Sequence, residues 1–208
     1  MFSGEPAKDF LNSMGFVFTD NPKPISPPPA FTPDQLINSR YHRNECRKCM
    51  SRTDYGYLFE YLAQQVLIRD FKFDVLRGVK IREEGEGGDF DVLAFQSPYL
   101  HYIECKTGID IGFSNIQKRR DFLRPASALV IIDQGKEKVV EIVRQIEEES
   151  VRTSTQIHSE CFLLFNIDWN IYIASGEDIR RAIRRTLRHF HQFRGNWYLQ
   201  KTNSISGD

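Results

Sequence analysis

Nowhere in this 208-residue sequence do apolar residues run together for long enough to span a bilayer. The N-terminal Met1-Phe2-Ser3-Gly4-Glu5-Pro6 lacks the basic and apolar regions of a secretion signal. There is no excess of one charge: 28 Lys and Arg balance 28 Asp and Glu, so net charge alone does not announce a nucleic-acid binder. Cysteine is scarce, with 4 residues, and no internal repeat is visible. These absences exclude a membrane-spanning chain and a repeat array. They lead to the expectation of a cytoplasmic protein whose cysteines are reduced thiols or metal ligands rather than disulfides.

The length suits one domain with some chain left over. Residues 1–52 are expected to form a Pro-rich N-terminal extension running over the surface, because Pro22, Pro24, Pro27, Pro28, Pro29 and Pro33 favour extended backbone. Phe10, Leu11, Phe16, Val17 and Phe18 could anchor its start. Residues 53–200 form the expected domain and 201–208 a tail.

From Asp54 the hydrophobic pattern becomes regular. Tyr55 to Arg69 has helical spacing, with Phe59, Leu62, Ala63 and Val66 on one face and Thr53 or Asp54 as N-cap. Strands are expected over Phe71–Ile81, Asp89–Phe95 and Tyr99–Lys106, the last two joined by a Ser97-Pro98 turn. Ser114 and Gln117 have the spacing of a capping box opening a helix that ends near Pro125. A strand at Ala128–Ile132, a helix at Lys136–Glu149, strands at Cys161–Ile167 and Ile171–Ala174, and a helix capped by Ser175 and reaching about His191 complete the series. Strands followed by helical crossovers predict an α/β fold with a mixed central sheet flanked by helices.

Within this pattern the charges of two adjacent strands stand out. Gly88-Asp89-Phe90-Asp91-Val92-Leu93-Ala94 and Tyr102-Ile103-Glu104-Cys105-Lys106 place acids and a lysine in strands that are otherwise apolar. Such strands tolerate charge when it is paired or binds metal. Alternation puts Glu104 and Lys106 on one face and Cys105 on the other. It also puts Asp89 and Asp91 together, with Phe90 and Val92 opposite. Asp91 and Glu104 would then converge as oxygen ligands for Mg²⁺ or Mn²⁺, with Lys106 beside them to orient a water. Each residue taken singly also fits an ordinary charged position at a strand end.

Asp91, twelve further residues, and then Glu104-Cys105-Lys106 resemble the PD-(D/E)XK nuclease superfamily, also called restriction-endonuclease-like. Ile103-Glu104-Cys105-Lys106-Thr107-Gly108 is similar to the Mrr-like and Holliday-junction-resolvase-like members and to the nuclease domains of CRISPR ancillary nucleases. The resemblance covers residues 54 to 133 and implies an αβββαβ core, followed here by C-terminal strands and a basic helix. It implies a Mg²⁺- or Mn²⁺-dependent endonuclease in which Asp91 and Glu104 bind metal and Lys106 is the catalytic lysine. Glu60 matches a glutamate that family members add from the first helix, and Asp89 is a further candidate ligand. Phe90 stands at the motif's proline position. With no room for a ligand-sensing domain in the first 50 residues, the chain would act alone or under a partner's control.

Two basic clusters point to nucleic acid, with DNA favoured over RNA. Gln117, Lys118, Arg119, Arg120 and Arg124 follow the acidic motif, and Arg180, Arg181, Arg184, Arg185 and Arg188 line one side of the last helix. The second group also reads as a solvated helix face. Cys46, Cys49, His158 and Cys161 have the spacing of a structural zinc site, with His42 a further candidate, although they read more simply as four unrelated residues. The other function considered is a nucleic-acid-binding or scaffold subunit of a defence or recombination complex that retains the fold. A homodimer, or a partner protein docked on the N-terminal segment, is compatible with this sequence, which does not itself give the oligomeric state.

Overall fold

The computed structural model describes residues 4–20, 22–25, 30–83, 86–149, 154–157, 162–165 and 171–191. Along the chain run α1 (Glu5–Ser13), β1 (Val17–Asp20), α2 (Pro33–Asn38), α3 (Arg40–Lys48), α4 (Arg52–Phe71), β2 (Asp74–Glu83), β3 (Glu86–Gln96) and β4 (Tyr99–Lys106). They are followed by α5 (Phe113–Leu123), β5 (Ser127–Ile132), α6 (Lys136–Glu149), β6 (Ser154–Ile157), β7 (Phe162–Phe165) and β8 (Ile171–Ser175). A last helix, α7, covers residues 179–191.

The fold is α/β. Among the described residues eight strands form one sheet in the order β1-β2-β3-β4-β5-β8-β7-β6. β1 to β4 are antiparallel neighbours, β4, β5 and β8 run parallel, and β8, β7 and β6 are antiparallel again, so the sheet is mixed. Two apolar layers cover it. One joins Leu36, Leu58, Leu62, Val66 and Ile183 of α2, α4 and α7 to Val92, Ile103 and Ile131. The other joins Leu11, Ile116, Leu123, Val139 and Val143 of α1, α5 and α6 to Phe90, Tyr102 and Val130. Among the described residues no helix is long and apolar enough to cross a membrane.

The N-terminal segment differs from the expected surface extension. β1 is an edge strand of the sheet, and the Asp74 carboxylate accepts the backbone N–H groups of Gly4 (2.8 Å) and Ala7 (2.9 Å), an anion seated on the start of α1. Thr32 and Gln35 form a capping box on α2. α3 then buries Arg43 completely. Arg43 Nε donates to Asp133 Oδ1 at 3.1 Å, Nη1 donates to the carbonyls of Leu36 (2.6 Å) and Ile37 (3.3 Å), and Nη2 reaches the carbonyl of Gly176. The hydroxyl of Tyr55 on α4 donates to the other oxygen of Asp133. One buried ion pair thus ties α2, α3 and α4 to the ends of β5 and β8. The proline-rich flanks conceal this, since α2 offers only Leu36 and Ile37 as apolar signal.

Three helix starts also shift. Ser51, rather than Thr53 or Asp54, caps α4, its Oγ accepting the N–H of Asp54 at 3.1 Å. α5 begins at Phe113 behind Gly112, which is left-handed (φ 56°), so Ser114 lies inside the helix and caps nothing. Ser175 ends β8, and Asp178 caps α7 by accepting the N–H of Arg181 at 2.9 Å. A strand before β7, β6, was not foreseen.

Replacing Arg43 by alanine leaves Asp133 buried without its cation. The variant is expected to lose about 3–5 kcal/mol in urea unfolding, whereas Lys138→Ala, whose ion pair with Glu141 is solvated, should lose well under about 1 kcal/mol.

Candidate metal and phosphate site

The site forms where β3 parts from β4. Their pairing ends at Val92↔Ile103, although β4 continues to Lys106 with β5 beside it. On the other flank the β2–β3 ladder omits one pair, Gly78 opposite Asp91, and Gly78 has a left-handed backbone (φ 64°). Side-chain alternation breaks at this kink. Phe90 packs in the same layer as Tyr102, their ring centroids 5.2 Å apart, while Val92 packs in the opposite layer. The expectation that Phe90 and Val92 share a face is therefore corrected. Asp91 occupies the bend, and its Oδ2 accepts the backbone N–H of Cys105 at 2.8 Å. The carboxylate takes a strand N–H where the β3–β4 ladder has stopped.

Glu104 projects from the neighbouring strand with its side chain 2% exposed. Lys106 Nζ lies 2.6 Å from Glu104 Oε1. Arg119 of α5 donates from Nη1 to both carboxylate oxygens at 3.0 Å, and the Tyr102 hydroxyl donates to Oε2. Gly88 makes room for Arg119: a Cβ there would lie 3.2 Å from Nε and 3.3 Å from Cγ of its stem.

Electrostatics bring α4 into the same cluster. Burial pushes the Glu60 carboxyl up to about 7, with Arg77 opposing the shift, Glu104 adding to it and Lys106 opposing it. Burial, then the charges of Glu104 and Glu60, lift Asp91 well above the usual carboxylate range, against the Cys105 N–H and Lys106. Three acids from α4, β3 and β4 therefore repel one another around one lysine. Among the described residues no three His, Cys, Asp or Glu side chains already stand in a metal-ligating group. The donor set nonetheless suits a hard divalent cation: all-oxygen, carboxylate, partly buried and charge-strained. Asp91 and Glu104, with Glu60, are the residues that would hold Mg²⁺ or Mn²⁺.

The other sequence candidates are distributed differently. Asp89 stands outside the cluster, 66% exposed, with Oδ2 3.6 Å from Lys80 Nζ across the ladder. Arg120 is buried, with Nη2 3.0 Å from Asp121, so it does not offer its charge at the surface as expected. Lys118 is exposed and Gln117 partly so. On α7, Arg181, Arg184 and Arg188 are exposed, while Arg180 pairs with Asp70 and Asn38. Cys46 is buried with its Sγ 3.5 Å from Met50 Sδ, and Cys49 is exposed at the end of α3. His158 and Cys161 lie outside the described residues. Cys105 is a buried thiol facing the α4 layer.

Two site residues escaped the sequence reading. Tyr102 shares a strand face with Glu104 two positions on, a spacing that was available to find it. Arg77 is a buried arginine in an apolar strand, over the Tyr61 ring at 5.9 Å, with Nη2 donating to the carbonyl of Lys23 at 2.7 Å and Nε and Nη1 without a hydrogen-bond partner among the described residues. Its charge acts on Glu60. The signal was a lone cation within Val75-Leu76-Arg77-Gly78-Val79.

The sign of the Glu60 shift sets a pH dependence. A carboxyl raised from 4.5 to about 7 on folding binds more protons folded than unfolded, so its contribution weakens as pH rises from about 4.5 and is at its most unfavourable above about 7. Glu60→Gln is expected to flatten the fall in thermal midpoint of the metal-free protein between pH 5 and pH 8. An unchanged slope would show that Glu60 does not titrate in this window.

No family model matches the sequence, and no curated protein matches it. Among solved structures the chain is similar to protein VC1899 from Vibrio cholerae, with 13% identity and a TM-score of 0.41 over 90% of this chain and 50% of that one. The chain thus spans half the length of that protein.

Proposed function

We propose that this chain is a metal-dependent nuclease of the cytoplasm that hydrolyses phosphodiester bonds of nucleic acid, DNA in preference to RNA, on a restriction-endonuclease-like core. The observation that carries the reading is the electrostatic coupling of Glu60, Asp91 and Glu104 with Lys106 near the point where β3 leaves β4, with burial, and Glu104 repulsion added to it, lifting Glu60 and Asp91. The succession α4, β2, β3, β4, α5, β5 supports the core assignment.

Asp91 and Glu104 would hold the cation, with Glu60 completing the set. Bound there, Mg²⁺ or Mn²⁺ supplies Lewis-acid polarisation of the scissile phosphate. Lys106, 28% exposed and anchored on Glu104, is placed to orient a water for in-line attack. Glu60, at about 7, can exchange a proton at neutral pH. Arg77 and Arg119 add positive charge beside the acids, where a phosphodiester must sit. The exposed Lys118, Arg181, Arg184 and Arg188 are candidates for backbone contacts further along the strand.

A second reading has one observation in its favour. Both oxygens of Glu104 are already bonded to Arg119, Lys106 or Tyr102, as suits a nucleic-acid-binding or scaffold subunit that keeps the fold without cleaving.

The two separate in a cleavage assay on labelled single- and double-stranded DNA and RNA. Cleavage is expected with Mg²⁺ or Mn²⁺, none with EDTA, and Lys106→Ala should lower kcat by about hundredfold or more. Metal-dependent cutting that survives in Lys106→Ala removes the lysine from the mechanism. Nucleic-acid binding without cutting of any substrate favours the second reading.

A further inference from the structure

The metal-free site balances its own charge. Glu60, Asp91 and Glu104 are faced by Lys106, Arg119 and Arg77. Glu104, buried to 2% exposure, carries the largest share: Lys106 and Arg119 on Oε1, Arg119 and Tyr102 on Oε2. A buried carboxylate needs such partners, because an unpaired one is strongly destabilising. The same partners occupy the lone pairs through which Glu104 would bind a cation.

Of the three donors, Arg119 is the one built to leave. Tyr102 is neutral and buried on the same strand as Glu104, and Lys106 is two residues away on that strand. Arg119 comes from another element, α5, and its stem lies along a strip left open by Gly88. Burial works against its charge, and Glu104 and Tyr102 overcome that, so the guanidinium stays fully charged.

We propose that Arg119 is an exchangeable stand-in for the divalent ion: its guanidinium holds Glu104 while the site is metal-free and is displaced when the site loads. This rests on the metal-dependent reading above and adds to it a competition between a side chain and the metal. A residue of this kind makes the chain stable without metal and lowers its affinity for the free ion.

Mn²⁺ affinity measured by calorimetry on the full chain tests it without reference to activity. Arg119→Gln and Arg119→Met, two neutral replacements of similar length, should bind Mn²⁺ about fivefold more tightly or better, since a positive charge beside Glu104 is gone. Arg119→Lys keeps the charge without the fork and should stay within about twofold of wild type. A purely structural role would move all three variants together, toward weaker binding. Unchanged or weaker binding in both neutral variants overturns the proposal. Asp91→Asn separates this from failure of the metal reading. If wild-type binding is lost in Asp91→Asn but indifferent to Arg119, only the stand-in role falls. If wild-type binding is absent or indifferent to Asp91, both fall.

Discussion

The buried pairing of Arg43 with Asp133 is the interaction on which the rest of the structure depends. Asp133 follows directly on β5, and its N–H donates to the carbonyl of Lys106 at 2.8 Å, so it fixes the end of β4 that carries the site lysine. Its carboxylate receives Tyr55 from α4, the helix that also carries Glu60. Arg43 adds the last carbonyls of α2 and the turn after β8, where the N–H of Gly176 returns to the carbonyl of Ile132 at 2.6 Å. Gly176 is obligatory there: a Cβ would come within 2.8 Å of the Ile132 carbonyl oxygen. Six elements, α2, α3, α4, β4, β5 and β8, therefore depend on one charge pair that the low-dielectric interior makes costly to leave half-made.

Set against that rigid corner, the candidate site is a region of managed conflict. β2 and β3 bend together at Gly78 and Asp91, the ladder to β4 opens, and the Asp91 carboxylate takes the Cys105 N–H there. Burial, with repulsion from Glu104 added to it, raises Glu60 and Asp91, and the nearby cations oppose the shift. Local electrostatic strain of this sort, supported by well-packed surroundings, is what a site that binds a cation and a phosphate requires.

The order of elements from Tyr55 onward, β6 apart, was legible because the others have a clear period and clear punctuation. The neighbouring placement of Asp91 and Glu104 was legible because a short turn between two alternating strands constrains register. The kink was not: alternation carries no mark of a ladder that omits Gly78 and Asp91, and this is why Phe90 was placed on the wrong face and Asp89 beside Asp91. Arg43 was invisible for a different reason. A fully buried arginine runs against every compositional expectation, and its partners lie from six to more than a hundred residues away in sequence. Arg119 was legible as a cation near the motif, but its attachment to Glu104 depends on how α5 lies on the sheet, which periodicity does not fix.

The most direct test of the account is where a divalent ion binds. Crystals of the full chain soaked in Mn²⁺ and measured for anomalous scattering should show an ion coordinated by the carboxylates of Asp91 and Glu104, with Glu60 turned toward it. A protein that takes up no Mn²⁺ between these residues, or binds it only elsewhere, would contradict the account.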